Sequence, residues 1–460
     1  MDNVIRIKKG LDILIKGKID TSLSAPVILH EDYAVKPTDF YGLQPNLLVH
    51  KGDSVKAGTP LFCDKKDERI KIPSPVSGVI TNIITGAKRS IEAVCIKADK
   101  EQESIVFDVP KLNEYSQENV KASLLASGLW CMFRRRPYDT IPKPDDTPRD
   151  IYISCFDSAP LAPDMEMLIH GREKEFQAGI DAIRHLAGST DNLGRAGSVH
   201  LGLHATQTIS WAFRECKNVE IHYFDGPHPS GNVGIQIHHT KPLNKDEQVW
   251  YIHPQDIVAI GALFLTGKYD SKRVVAVAGS EVLHTRYIKT RSGVNVSYLL
   301  KDNLYEGNNV RVISGNVLTG KRIAEDGYIG FYDSFISVIP EGNHSRFLGW
   351  LTAGINLYSF SRSFFSWLIP GREYRIDTNL NGGRRAFVLI GDIERVFPMD
   401  IYPLQLIKAC IAKDVEKMLD LGIYEVSPED FALCEYIDAS KTEIQQIIRE
   451  GLELVKKETE

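Results

Sequence analysis

The sequence predicts an α+β chain of several domains, with a β-rich N-terminal third, an α/β middle, a small β domain and a helical C-terminal end. Three observations predict this class. Residues 36–100 are short apolar stretches broken by glycine and proline turns, residues 151–225 alternate strand and helix patterns, and residues 401–460 repeat apolar positions at helical spacing. At 460 residues the chain exceeds the about 250–300 residues at which a single core stops growing.

Composition narrows the classes of function. A hydrophobic fraction of 43% is typical of a globular protein, and a net charge of -5 gives no reason to expect nucleic acid as a partner. The seven cysteines form no C-x-x-C pair, so the sequence contains no local cysteine motif for a metal or an iron–sulfur cluster. Widely spaced cysteines of this kind fit a protein of the reducing cytoplasm. The N-terminus lacks the apolar core of a signal peptide, and we expect no transmembrane helix.

Residues 1–115 are predicted to form the first domain. Its two halves, GDSVKAGTPLF from Gly52 and PSPVSGVITNI from Pro73, each place a glycine turn before alternating apolar residues. This spacing resembles a biotinyl/lipoyl-like barrel-sandwich module. Lys65 and Lys66 fall in the hairpin where such a module carries its modified lysine, but two lysines flanked by acids are more typical of an ordinary exposed turn.

Residues 116–255 are predicted to form a Rossmann-like α/β domain. A helix is expected from Ser116 to Leu129, and the strand IYISCF is followed by a helical face that ends at Ala187. Further strands are expected at VHLGLHA and VEIHYF, with a helix near 209–214 between them, so the sheet should be parallel. The first strand runs into CFDSAPLAPD rather than a glycine fingerprint, which predicts a fold without nucleotide binding.

A basic, aromatic segment from Trp130 to Pro144 supplies the first candidate contact site. Guanidinium groups are fork-shaped donors and aromatic rings give rigid apolar area, so the segment fits a docking or ligand surface. The alternative, favoured by composition alone, is a solvated charge run at a domain border. The candidate residues are Trp130, Phe133, Arg134, Arg135, Arg136 and Tyr138.

A second candidate contact is the glycine- and proline-rich loop formed by Gly226, Pro227, His228, Pro229 and Gly231. A loop that approaches a partner closely and a rigid structural turn are equally compatible with it. The loop is expected to run into a strand, in which His238 and His239 would point to opposite faces. His200 and His204 have no acidic partner between them, so we predict no metal site.

Three regions follow. Residues 256–330 have the order of a small β-grasp (SLBB-like) domain. Residues 331–400 are mixed and contain an aromatic run, which fits either core packing, the more frequent case, or an exposed docking patch of Trp350, Phe364, Phe365 and Trp367. Residues 401–460 should form a helical bundle, with a first helix from Leu404 to Gly422 and helix starts at Ser427 and Ser440.

A series of sequence motifs, spread in order over essentially the whole chain, resembles those of a known protein family. The motifs are KKGLDILIKG, GDSVKAGTPLFCDKK, SPVSGVI, GAKRSIEAV, GLWCMFRRRPYDTIP, FDGPHPSGNVGIQIHH, VWYIHPQDIVAIGALFLTG, RVVAVAG, RVISGNVLTG, FLGW and ERVFPMDIYP. Together they resemble the family of A subunits of bacterial sodium-translocating NADH:quinone reductases. The resemblance implies a peripheral subunit on the cytoplasmic face of the inner membrane, in a respiratory complex that couples NADH oxidation and quinone reduction to Na⁺ export.

The resemblance also implies which groups other subunits hold. NADH, flavins, iron–sulfur centres and quinone are expected to belong to the complex, and this chain is expected to bind no cofactor and to have no catalytic residue. Where related flavoproteins have a small-residue flavin loop, GLWCMFRRRPYDT brings bulky and charged side chains. Cys410 and Cys434 are too few for a cluster, which needs four ligands.

Two hypotheses remain for the subunit itself. In the first, it is a structural adaptor that docks on the quinone-site membrane subunit. In the second, Trp130, Phe133, Arg135 and Tyr138 line part of a quinone pocket. A lipoyl-like carrier or a metal-dependent hydrolase is the least expected alternative, and the sequence does not distinguish ubiquinone from menaquinone.

Overall fold

A computed structural model gives the structure of residues 4–19, 29–188, 197–207, 210–307, 309–343, 349–388 and 391–459. The predicted fold class is confirmed, because the described residues form a mixed α/β chain with the expected barrel-sandwich, α/β, β-grasp-like and helical parts.

The N-terminal part is a pair of small antiparallel sheets. The first strand, β1 (Val4–Arg6), pairs with strand β12 (Glu220–Asp225) of the α/β part. Residues 32–98 form two sheets with the orders β2-β8-β7-β4 and β3-β5-β6. Leu61, Phe62 and Ile72 of this part are fully buried. Lys65 and Lys66 are exposed in the turn between β5 and β6, as the hairpin prediction requires. The strands are β2 (Asp32–Val35), β3 (Pro45–Leu47), β4 (Ser54–Val55), β5 (Pro60–Asp64), β6 (Lys71–Pro73), β7 (Gly78–Thr85) and β8 (Ile91–Ala98).

The α/β part contains a six-stranded sheet of order β1-β12-β11-β10-β13-β9, parallel except for β9, which runs antiparallel to β13. Its helices α3 and α6 pack closely, since a Cβ on Gly261 would lie 1.7 Å from the Glu175 carbonyl oxygen. The elements are α1 (Gln117–Ser127), β9 (Arg134–Arg136), β10 (Ile151–Ser154), α2 (Met165–Ile169), α3 (Glu173–Ile183), β11 (Val199–His204), α4 (Trp211–Arg214), β12 (Glu220–Asp225), α5 (Val233–Thr240), β13 (Val249–Tyr251) and α6 (Pro254–Thr266).

Helix α5 corrects one expectation. Its alternating pattern VGIQIHH predicted a strand, but residues 233–240 are helical. Val233 through Ile237 are all buried, Gln236 among them, so buried residues occupy every side of the first helical turn and no single apolar face marks the helical period.

The β-grasp-like part is a five-stranded sheet of order β15-β14-β18-β16-β17. Strands β14 and β18 are parallel neighbours at its centre, so the sheet extends beyond residue 330 into the region predicted to be mixed. Its elements are β14 (Lys272–Ala278), β15 (Arg286–Arg291), α7 (Val296–Leu300), β16 (Val310–Ser314), β17 (Lys321–Ile323) and β18 (Phe335–Pro340).

The C-terminal part is helical, and two details differ from expectation. The first long helix is broken at Lys413, whose φ of 56° is left-handed. The Ser427–Asp430 capping box forms, but Ser440 donates to the Ala386 carbonyl and the last helix begins at Ile444. The helices are α8 (Ile393–Val396), α9 (Pro403–Ala412), α10 (Val415–Asp420), α11 (Ala432–Ile437) and α12 (Ile444–Thr459). Among the described residues, none of the helices combines the length and apolar character that crossing a bilayer requires.

Candidate functional site

The basic, aromatic segment is an edge strand of the six-stranded sheet. Strand β9 pairs antiparallel with β13, with Arg134 opposite Tyr251 and Arg136 opposite Val249. A short 3-10 turn, Leu129–Met132, precedes it and is completely buried. The segment is therefore continuous with the core of the α/β part on its N-terminal side.

The aromatic members of this segment pack inward. Trp130 and Phe133 are both 0% exposed, and their rings lie 5.3 Å and 5.6 Å from that of Trp250. The Trp130 indole N–H donates to the Pro142 carbonyl at 2.9 Å, which satisfies its polar atom in the interior. In this structure neither ring presents a surface to a partner or a quinone.

Arg136 joins the sheet to the helical part. It is 1% exposed, and its Nη1 and Nη2 donate to Asp430 at 3.2 Å and Glu429 at 2.5 Å. Burial raises the pKa of the Asp430 carboxyl, and the Arg136 charge opposes this rise. Because a buried charge left without its partner is costly, this contact ties the position of the 428–431 turn to that of β9.

Arg134 belongs to a second charge cluster on the same side. Its guanidinium lies 3.8 Å from Asp139 and 3.8 Å from the centre of the Tyr332 ring. Asp139 also accepts from Arg449 of α12 at 3.1 Å and from the Tyr251 hydroxyl. Although burial acts to raise it, the pKa of the Asp139 carboxyl is held below its usual value by the surrounding arginines.

Arg135 and Tyr138 complete the segment and are likewise 4% and 8% exposed. Arg135 donates to Thr140 at 3.3 Å and to Asp146 at 3.4 Å. The Tyr138 hydroxyl lies 3.0 Å from the Thr459 hydroxyl at the end of α12. The structure thus brings all six residues that the sequence selected together; five of them are buried, and Arg134 is partly exposed.

The acidic partners were missed by sequence reasoning. Asp139 and Glu429 were not selected from the sequence, and Asp430 belongs only to the helix start predicted at Ser427. No local sequence signal pairs these carboxylates with the three arginines.

The loop of residues 226–231 lies at the carboxyl end of β12 and is also packed against the protein. The His228 N–H donates to Asp12 at 2.9 Å, and its carbonyl accepts from the Leu11 N–H at 2.8 Å. Gly226 and Gly10 provide the space for this contact. The residues that follow β1 hold this loop, and β1 is the neighbour of β12 in the sheet. The loop is therefore packed against the edge of the sheet that these two strands form.

His228 itself is only 3% exposed. Its Nδ1 lies 3.0 Å from the Ser158 hydroxyl, which accepts from the Gly231 N–H at 2.8 Å and so has its own hydrogen available for the ring. Burial lowers the pKa of His228 to about 4. The side chain is therefore a neutral acceptor at neutral pH.

Among the described residues, the carboxyl edge of the sheet holds a cavity of about 30 Å³. Phe156, Asp157 and His204 are among its lining residues.

An exposed apolar patch lies in the mixed region. Two of its residues, Phe365 and Trp367, are 60% and 49% exposed, and Arg362 lies 5.8 Å from the Trp367 ring. Phe364 is half-buried, and the side chain of Trp350 lies outside the described residues. We call this the apolar patch; it comprises Leu351, Ile355, Phe365, Trp367, Leu368 and Ile369.

The segment that carries the apolar patch is attached to the body of the protein just after the patch ends. Tyr374 bridges to Ile15, and the Tyr374 N–H donates to the Leu14 carbonyl at 2.8 Å. Arg375 makes two hydrogen bonds, at 2.7 Å and 2.8 Å, to the buried carboxylate of Glu281. The patch is thus exposed apolar surface on an anchored segment.

Comparison with known proteins covers nearly the entire chain. Three family models match: the NqrA N-terminal barrel-sandwich hybrid domain over residues 5–99, the NqrA second alpha/beta domain over 115–269, and the NQRA C-terminal domain over 274–325. Their order agrees with the fold described above.

Full-length relatives are similar throughout. The chain is 36% identical to the A subunit of the Na(+)-translocating NADH-quinone reductase of Rhodopirellula baltica, over 99% of both chains. It is also 36% identical to the corresponding protein of Pasteurella multocida, over 99% of this chain and 100% of the relative. A solved NAD⁺-reducing [NiFe]-hydrogenase aligns over 74% of this chain and 62% of its own at 11% identity, but its TM-score of 0.37 is too low to carry an argument.

Proposed function

The chain belongs to the family of A subunits of the Na(+)-translocating NADH-quinone reductases, and we propose that it works within such a complex as one of its subunits. This complex couples the oxidation of NADH and the reduction of quinone to Na⁺ export. The flavins, iron–sulfur centres and quinone belong to the complex, and the isolated chain is not catalytic. The supporting observation is the match over 99% of the chain.

We further propose that the chain is peripheral, lies on the cytoplasmic face of the membrane, and docks on the quinone-site membrane subunit through the apolar patch. A group of exposed large apolar side chains is uncommon on a soluble surface and is typical of a protein interface. Trp367 and nearby Arg362 supply the aromatic and arginine side chains that most often dominate binding energy.

The docking contact then lies away from the basic, aromatic segment. Trp130, Phe133 and Arg136 are buried against partners of their own chain, so they cannot also contact another protein without losing these partners. We assign that segment, and the loop around His228, a structural role within the chain.

The test is retention of the tagged full-length chain on membranes that contain the other subunits. Phe365→Ser combined with Trp367→Ser should reduce retention at least about tenfold, because two central aromatic contacts are removed. Trp211→Ser is the matched control, since Trp211 is 67% exposed and lies in the α/β part. Membranes without the other subunits should retain little of the wild-type chain.

Two outcomes would contradict the docking proposal. Retention of the double variant at the wild-type level would exclude the apolar patch as the contact. Equal retention of the wild-type chain on membranes without the other subunits would mean that lipid, not a membrane protein, is the partner.

A further inference from the structure

A cluster of histidine and glutamate lies on two adjacent parallel strands, away from both predicted contact sites. In the register of β11 and β12, His200 lies opposite Glu220, and Gly202 opposite His222. Side chains two residues apart on a strand point to the same face, so Glu220 and His222 share the face of His200. The sheet itself places three potential metal ligands together.

The distances between their ligand atoms are short. His200 Nδ1 lies 2.9 Å from His222 Nε2 and 3.5 Å from Glu220 Oε2. One ligand atom from each of the three residues fits within 4.8 Å of the others. Two imidazole nitrogens this close either share one proton or direct both lone pairs toward one cation.

The central ligand is held in place. His200 is 5% exposed, and its ring stacks on that of Tyr152 with centroids 4.5 Å apart. Its other nitrogen, Nε2, lies 3.4 Å from Asp150 Oδ1. A carboxylate behind the distal nitrogen of a histidine is the arrangement that orients metal-binding imidazoles.

The outer ligands are positioned as well. The Ser198 hydroxyl donates to Glu220 Oε1 at 2.6 Å, which leaves Oε2 directed toward His200. The Glu220 side chain is 56% exposed, so the cluster opens to solvent on that side. An ion therefore has a route of entry.

We propose that His200 Nδ1, His222 Nε2 and Glu220 Oε2 bind one divalent transition-metal ion of the Zn²⁺ class. Two imidazoles and one carboxylate are ligands that Zn²⁺, Co²⁺ and Ni²⁺ prefer, whereas Mg²⁺ and Ca²⁺ prefer oxygen ligands. Metal–nitrogen bonds of about 2.0–2.1 Å in tetrahedral geometry place two nitrogens roughly 3.3 Å apart, so the rings need to separate by only a few tenths of an ångström.

The ion would join β11 to β12 near the start of both strands, with the Asp150 carboxylate on β10's N-terminal side supporting His200. Because it would bridge two neighbouring parallel strands, the ion would stabilise the sheet. This inference is independent of the proposed docking function.

The experiment is a titration of the purified full-length chain with Co²⁺, followed by its visible absorption, and with Zn²⁺ by calorimetry. We expect one equivalent to bind, and a rise in the midpoint of thermal unfolding with added Zn²⁺, since an ion that binds only the folded state stabilises it. His222→Asn and Glu220→Gln should each weaken binding at least about tenfold.

The control is His50→Asn, which removes an exposed histidine beside the carboxylate of Asp53 and should leave binding unchanged. His200→Ala is avoided because that ring is part of the core. The proposal is overturned if no stoichiometric binding is seen, or if His222→Asn and Glu220→Gln both bind like the wild type. In that case the two rings form an ordinary hydrogen-bonded pair.

Discussion

The guanidinium of Arg136 lies 3.2 Å from the carboxylate of Asp430, which is 294 positions further along the chain, and both side chains are almost completely buried. This contact joins the edge of the α/β sheet to the helical part. The basic, aromatic segment has the composition of a charged surface, but this contact places Arg136 in the interior.

Arg136→Met should lower the free energy of unfolding by about 3–5 kcal/mol, because it leaves the buried carboxylate of Asp430 without the charge that compensates its burial. Urea unfolding of the purified chain measures this. Arg384→Met is the matched control: Arg384 pairs with Glu443 at the surface, where an ion pair contributes about 0–1 kcal/mol. Equal effects of the two variants would refute the structural role of Arg136.

Replacing an aromatic residue should lower stability much more in the core than in the apolar patch. Trp130→Ala is expected to cost about 3–5 kcal/mol of unfolding free energy, since it removes a fully buried ring and its bond to Pro142. Trp367→Ala should change stability by about 0.5 kcal/mol or less, because that ring is half exposed. If Trp367→Ala proved as destabilising as Trp130→Ala, the apolar patch would be part of a core.

Gly10→Ala should be strongly destabilising, by at least about 2 kcal/mol. Its φ is +148°, and an added Cβ would lie 2.2 Å from the His228 carbonyl oxygen, which is backbone and cannot move freely. Gly383→Ala is the control, because no atom lies within 4 Å of its added Cβ and its φ is ordinary. Thermal unfolding of both variants would test whether the residues after β1 hold the 226–231 loop.

The buried His228 should make stability depend on pH. Its pKa is lowered from 6.5 to about 4, so between these values the unfolded chain binds a proton that the folded chain does not. Stability from this group is complete above pH 6.5 and is lost as pH falls toward 4, by on the order of 3 kcal/mol.

Urea unfolding at several pH values would measure this slope in the wild type and in His228→Asn. The variant should show a shallower fall between pH 6.5 and 4, while His50→Asn, which alters an exposed histidine, should retain the wild-type slope. An unchanged slope in His228→Asn would mean that another group causes the acid sensitivity. Within the described part of the chain, His228 is hydrogen-bonded to Asp12 through its backbone N–H and to Ser158 through its ring.

Much of the local structure was predictable from near neighbours along the chain. Short apolar stretches between helical patterns predicted the parallel strands β10, β11 and β12, and the Ser427–Asp430 box was recognisable as a cap. Ser116 likewise caps α1 by accepting from the Asn119 N–H at 3.2 Å. These features depend on residues within one turn or one strand of each other. The family resemblance was also carried by the sequence, and is confirmed by the full-length relatives.

The surroundings of each element were not predictable in this way, because they depend on how the chain folds back on itself. Arg136 is internal because Asp430, far along the chain, folds against it, and no local pattern encodes that contact. For the same reason α5 is a helix despite its alternation, and His200 meets His222 rather than His204. Burial and pairing arise from contacts between residues far apart in sequence, whereas periodicity and capping arise from near neighbours.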